Sequence, residues 1–238
     1  MRISKMPAST LLSASLLLSL NQPLSICSQD DRSPSRVSMT GVVSDVKSGN
    51  QSYCTLTLVS DSCAVTAGHC LHVLGEAEFF TDSAGQPPQI PETYRYAVDK
   101  SWIRALQTRI GNDWSVVKLK PNSVTGLLAG KVHGFVDAQL SPSVGSDTAL
   151  ELHAVRKTSQ GFELLRSSGN VLWTESSIIF HDLDTGAGSS GALILDSATG
   201  RAVGIHTHGG CDTMKNNKAT YIANVPKLVS AIKECRGY

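Results

Sequence analysis

Three short stretches of this sequence hold the side chains that nucleophilic hydrolysis requires: His69 in AVTAGHC, Asp113 in GNDWSVVKL and Ser190 in DTGAGSSGALI. A serine hydroxyl attacks a carbonyl when a base takes its proton, a carboxylate holds that base in one tautomer, and donors meet the developing oxyanion. Gly188 and Gly191 flank Ser190, and glycines let a backbone turn sharply and aim its N–H groups at a substrate. Each motif alone has a bland explanation. Histidine beside cysteine is often structural, Asp after Asn often a turn, and Gly-Ser runs usually loops. It is their combination that points to chemistry.

A metal centre is the competing chemistry. His206, His208 and Cys211 are ligand types, as are His69, Cys70 and His72. An HxH spacing is also what a strand lining a pocket produces, and no pair of CxxC knuckles exists. No metal and no cofactor is therefore implied.

The elements that must position these residues are mostly strands. Of 238 residues, 41% are hydrophobic and 17% charged, with 20 Gly and 9 Pro, an all-β composition rich in turns. Strand-like runs cover 42–46, 54–60, 63–67, 114–120, 149–156, 162–166, 171–173, 177–180, 192–195 and 202–206. Between them stand turn signals such as KSGN, DSAGQPP, SPSVG and DSATG. One clear helix signal comes at the end, where Pro226 precedes Leu228, Val229 and Ile232 at helical spacing through Cys235.

Lys plus Arg number 21 against 20 acids, so no broad basic face is available and nucleic acid is excluded as an expected partner. Arg2 and Lys5 precede the apolar run LLSASLLLSL, which is too short to span a bilayer and suits a secretory signal. We read 1–27 as that signal, cut after Cys27, and 28–37 as a flexible polar tail. The expected location is extracellular. An alternative takes LSIC as a lipoprotein box, leaving a periplasmic or lipid-anchored protein acylated on Cys27, although Ile26 is bulky for such a box. No transmembrane segment is expected elsewhere. Export permits disulfides, and Cys54, Cys63, Cys70, Cys211 and Cys235 would remain after the cut, leaving one thiol unpaired.

The chain resembles the chymotrypsin-like serine proteases. The order His, Asp, Ser matches that family. TAGHC is similar to its TAAHC, NDWSVVKL to its Asp-led strand, and GSSG to its GDSGG. The resemblance runs from about residue 38 to the end. It implies two six-stranded antiparallel β-barrels, 38–125 carrying His69 and Asp113 and 126–225 carrying Ser190 and the specificity pocket, then a C-terminal helix over 226–238. It implies that Ser190 is the nucleophile, His69 the base, Asp113 its orienting carboxylate, and the N–H groups of Gly188 and Ser190 the oxyanion hole. It implies a Cys54–Cys70 bridge behind the histidine, and suggests Cys63 with Cys235, whose elements pack together in the family. The implied activity is that of a secreted, monomeric serine endopeptidase acting on protein or peptide substrates.

Departures from the pancreatic enzymes are equally informative. Ser189 stands where their activation switch has an Asp, so that switch is expected to be absent and Arg36-Val37 is not an activation site of that kind. Ser189 is also the rival hydroxyl, and the glycine pattern favours Ser190. The short interval from Asp113 to Ser190 and the following GALI resemble compact bacterial members, particularly the glutamyl endopeptidases. The positions of Thr185 and His206 resemble those that bind a substrate carboxylate in those enzymes; on a strand His206 and His208 share a face, so either imidazole is a candidate to reach the pocket, with Gly209 beside them as a further substrate-binding position. Asp184 has the offset of the trypsin carboxylate and would instead favour Lys or Arg. A non-catalytic binding protein on the same scaffold is the remaining alternative.

Overall fold

Short runs of β-branched and aliphatic residues bounded by turn formers give this chain strands rather than helices. The computed structural model describes residues 25–45, 52–80, 90–137 and 143–237. The apolar run within 1–24, the KSGN and DSAGQPP signals, and the first two residues of SPSVG lie outside the described residues.

A short strand, β1 (Ser33–Pro34), precedes the first barrel. That barrel contains β2 (Thr40–Ser44), β3 (Tyr53–Leu58), β4 (Cys63–Thr66), β5 (Glu76–Phe79), β6 (Arg95–Arg109) and β7 (Asn112–Leu119). It closes in the antiparallel order β2-β3-β4-β7-β6-β5. Inward residues such as Val43, Leu56, Leu58, Phe79, Tyr96 and Val117 are removed from water, and each large aliphatic side chain so buried stabilises the fold by about 1.5–3 kcal/mol.

The second barrel holds β8 (Ala149–Thr158), β9 (Gly161–Glu175), β10 (Ile178–His181), β11 (Leu193–Asp196), β12 (Ala202–His208) and β13 (Asn217–Tyr221). Its order is β9-β10-β13-β12-β11-β8, and β8 pairs with β9 to close it. Leu150, Leu152, Val171, Ile179, Ile194 and Val203 fill it. The runs at 162–166 and 171–173 are parts of the single strand β9. DSATG makes the expected turn between β11 and β12, where Gly200 takes a φ of 67° and its N–H donates to Asp196 O at 2.8 Å.

A third apolar cluster, including Val65, Trp114, Leu193, Ile205, Leu228 and Ile232, joins the barrels to the terminal helix. Two short helices, α1 (Ala129–His133) and α2 (Cys211–Met214), precede that helix, α3 (Pro226–Arg236). Pro226 opens α3, and Gly237 closes it in the left-handed region at φ 84°. Leu228, Ala231, Ile232 and Cys235 form its buried stripe. Cys54 pairs with Cys70, and Cys63 with Cys235, which staples α3 to β4.

Residues 28–37 read as a flexible tail, yet β1 adds to the edge of β9 through Ser33 opposite Arg166 and Pro34 opposite Leu165. The Ser35 N–H donates to Leu164 O at 2.8 Å. An open strand edge recruits a chain by its backbone donors and acceptors, a force that polar composition does not reveal. Cys27, expected to leave with the signal or to carry lipid, is bonded to Cys211. No described cysteine is free. No helix among the described residues is long and apolar enough to cross a membrane.

Candidate active site

His69 lies in a 3-10 helix, Gly68–Val73, that follows β4, and Asp113 is the second residue of β7. The Asp113 carboxylate holds the histidine twice. Its Oδ1 accepts the His69 backbone N–H at 2.7 Å and its Oδ2 meets His69 Nδ1 at 2.6 Å. Asp113 is buried, and Thr220 Oγ1 anchors its strand by donating to Asp113 O at 3.0 Å. With Nδ1 engaged, Nε2 is the atom left to act as a base.

Ser190 comes from the second barrel, yet its loop is fixed by the first. Thr55 of β3 donates its N–H to Ser190 O at 2.9 Å and its hydroxyl to Gly188 O at 2.6 Å. The Cys54–Cys70 bond runs alongside, with Cys70 Sγ 4.0 Å from Ser190 O. Gly188 and Gly191 have φ of 89° and 90°, and a Cβ would strike Tyr53 at the first and Thr66 at the second. Only glycine fits both turns.

The two serines are separated by their partners. Ser189 is buried, and its Oγ accepts the Gly186 N–H at 3.0 Å. The Ser190 hydroxyl has no hydrogen-bond partner among the described residues, His69 included. Such contacts are often long in ligand-free enzymes and tighten on binding. The N–H groups of Gly188 and Ser190 likewise have no acceptor among the described residues, leaving them open to an incoming oxygen.

Beside Ser190 is a cavity of about 330 Å³ lined by Thr185, Gly186, His206 and Gly209, with Ser25 on one wall and the exposed Asp212 at its rim. Here the sequence expectations divide. Thr185, His206 and Gly209 line this cavity, whereas His208 lines a neighbouring cleft with His69 and Asp113. Strict alternation would put both histidines on one face, but the β12–β13 register shifts between them, and such a bulge re-aims the following side chain.

Asp184, expected as a pocket carboxylate, does not line the cavity. Its Oδ1 accepts the Cys27 N–H at 2.8 Å and its Oδ2 the Asp31 N–H at 3.3 Å. Burial pushes its carboxyl upward while these two donors pull it down. It belongs to the anchoring of the N-terminal segment.

His181 is a partner that sequence reading missed. It is fully buried behind the cavity, with Nε2 3.3 Å from His206 Nδ1. Burial pushes His181 down to about 3 and holds His206 well below the ordinary imidazole value. Both rings are neutral at neutral pH. A lone histidine on β10 carries no sequence signal for such a role.

Cys54, His69 and Cys70 bring their ligand atoms within 4.8 Å of one another, but the two sulfurs are bonded to each other and offer no thiolate to a metal. Cys211 of the other suggested cluster is bonded to Cys27.

Neither a protein-family model nor any curated protein sequence matches the chain. Solved structures do. A Glu endopeptidase in complex with MPD superposes with a TM-score of 0.70 at 16% identity, covering 90% of this chain and 100% of that one. The protease Anisep from Arthrobacter nicotinovorans gives 0.61 at 16%, covering 80% and 93%. A thermostable serine protease, AL20, gives 0.60 at 13%, covering 84% and 97%. The two closed barrels and the terminal helix give this chain the fold of the chymotrypsin-like serine proteases.

Proposed function

We propose that this chain is a secreted serine endopeptidase that cleaves peptide bonds through Ser190, His69 and Asp113, with preference for Glu or Asp before the scissile bond. The observation that carries the reading is the double hold of Asp113 on His69 beside a glycine-framed loop whose one unengaged hydroxyl is Ser190. His69 Nε2 takes the hydroxyl proton as Ser190 Oγ bonds to the carbonyl carbon. Asp113 stabilises the imidazolium, and the N–H groups of Gly188 and Ser190 receive the oxyanion. The imidazolium then protonates the leaving amine. Water, deprotonated by the same imidazole, hydrolyses the acyl-enzyme. Removal of one oxyanion donor in such sites costs about 3 kcal/mol. The apolar N-terminal run and three disulfides support export.

The acidic preference is supported by Thr185 and His206 in the cavity and by Asp184 facing away from it. A hydroxyl and an imidazole N–H are the donors that a carboxylate needs. Preference for Lys or Arg would draw on Asp212, the one carboxylate among the described residues that line the cavity; its exposure lets water and salt screen it. The test is cleavage of a mixed peptide library, with Ser190→Ala as the control. Cuts after Glu or Asp that vanish in the variant are expected. Faster cleavage after Lys or Arg would reject the preference, and no Ser190-dependent cleavage would reject the activity.

A further inference from the structure

We propose that Ser25 is a specificity-determining positioning residue, retained in the working enzyme as one wall of the substrate cavity and kept there by the Cys27–Cys211 disulfide. This rests on the reading that the cavity takes the side chain before the scissile bond.

Ser25 is integrated on every side. Its N–H donates to Thr185 O at 3.0 Å, and the Thr185 N–H returns to Ser25 O at 3.1 Å. Its hydroxyl donates to Asn217 Oδ1 at 2.5 Å and accepts the N–H groups of Gly210 at 2.7 Å and Cys211 at 3.0 Å. Asn217, fully buried on β13, donates its amide to Ser25 O, Leu183 O and Thr185 Oγ1. A Cβ on Gly209 would come within 2.8 Å of Ser25, so glycine there admits the segment.

The consequence for substrate runs through Thr185. Accepting the Asn217 amide at 3.2 Å leaves the Thr185 hydroxyl its proton to donate into the cavity. Ser25 and Asn217 together hold the donor that an acidic side chain would use. Two further anchors lie outside the cavity: the Cys27 N–H satisfies Asp184, and the disulfide ties Cys27 to the first residue of α2. A cut after Cys27 would take from the buried Asp184 carboxylate the closer of its two backbone donors, leaving only the Asp31 N–H, and would open the wall, so the proposal places processing upstream of Ser25.

The experiment uses the full chain exported by a host. Intact mass and a non-reducing peptide map are expected to show a mature protein containing Ser25 and a Cys27-to-Cys211 cross-linked peptide. A mature start beyond Ser25 overturns the proposal. Kinetics on paired peptides with Glu or Gln before the scissile bond then compare wild type, Ser25→Ala and a Cys27→Ser/Cys211→Ser double variant. Ser25→Ala is expected to raise KM for the Glu peptide about tenfold and lower the Glu-to-Gln ratio, with a much smaller change in kcat. An unchanged KM and ratio in folded Ser25→Ala overturns the proposal. That variant keeps the disulfide, so it decides the matter even if the double variant fails to fold. Fluorophosphonate labelling of Ser190 in wild type runs in parallel. Its absence defeats the protease reading, while the peptide map still decides whether the segment is retained.

Discussion

Thr55 and Ser190 belong to different barrels, yet Thr55 donates its N–H to Ser190 O at 2.9 Å and its hydroxyl to Gly188 O at 2.6 Å. The same hydroxyl accepts the Val155 N–H at 3.0 Å. One fully buried threonine thus sets the height of the loop against the first barrel, where His69 resides.

Thr55→Val keeps the shape and removes both hydroxyl contacts. The loop should lose register with His69, and kcat should fall about tenfold, since small misplacements of reacting groups are costly. Steady-state kinetics checks this. A change in KM alone would show that the threonine does not position the nucleophile.

Asp113→Asn removes the carboxylate that fixes the His69 tautomer. In related triads such a change lowers kcat by on the order of 10⁴. Circular dichroism should be native-like while turnover is lost. Activity within tenfold of wild type would mean that Asp113 is only structural.

His206 starts neutral because burial depresses its pKa. A bound Glu carboxylate pulls that pKa upward, so acidic peptides should bind with proton uptake. Their KM should rise with pH through the neutral range while KM for the Gln peptide stays flat. His206→Gln should abolish the difference. Parallel pH profiles for the two peptides in wild type would contradict the role.

His133 gives a pH dependence of stability remote from the cavity. It stacks on Phe79 with ring centroids 4.8 Å apart, its Nε2 has no hydrogen-bond partner among the described residues, and burial lowers it to about 4. A depressed imidazole leaves the unfolded chain binding more protons, so its contribution to stability is intact above pH 6.5 and lost as pH falls toward 4. The slope should be up to about 1 kcal/mol per pH unit after allowance for solvent screening. His133→Phe should flatten the fall in Tm over this window. An unchanged slope would exclude His133 as its source.

The Cys63–Cys235 bond links α3 to β4, and neither cysteine lines the cavity. Replacing both cysteines by alanine should cost about 3 kcal/mol, lowering Tm by roughly 6–12 °C for a domain of this size. The preference for Glu over Gln should not move. A changed preference would mean that α3 reaches the site.

Much of the candidate site's backbone was legible because sharp turns require glycine, as at Gly188 and Gly191 on either side of Ser190. Strands with clean apolar runs, such as β4 and β12, were legible for the same reason that they are buried. β13 was not, because Asn217, Lys218 and Thr220 are polar and yet all buried, with the Asn217 amide and the Thr220 hydroxyl satisfied by protein neighbours. β6 was missed because charges interrupt it along an exposed face. The segment from Ser25 to Pro34 reads as a leader and tail, since backbone pairing and a disulfide across the whole chain leave no local pattern. The opposite placements of His206 and His208 depend on a register shift that alternation cannot foresee.

The most direct test of the account is mass-spectrometric mapping of a fluorophosphonate adduct on the exported protein across pH. The account predicts one adduct, on Ser190, absent in Ser190→Ala and slowed by orders of magnitude in His69→Ala. An adduct on Ser189, or a Ser190 adduct whose rate ignores His69, would contradict it.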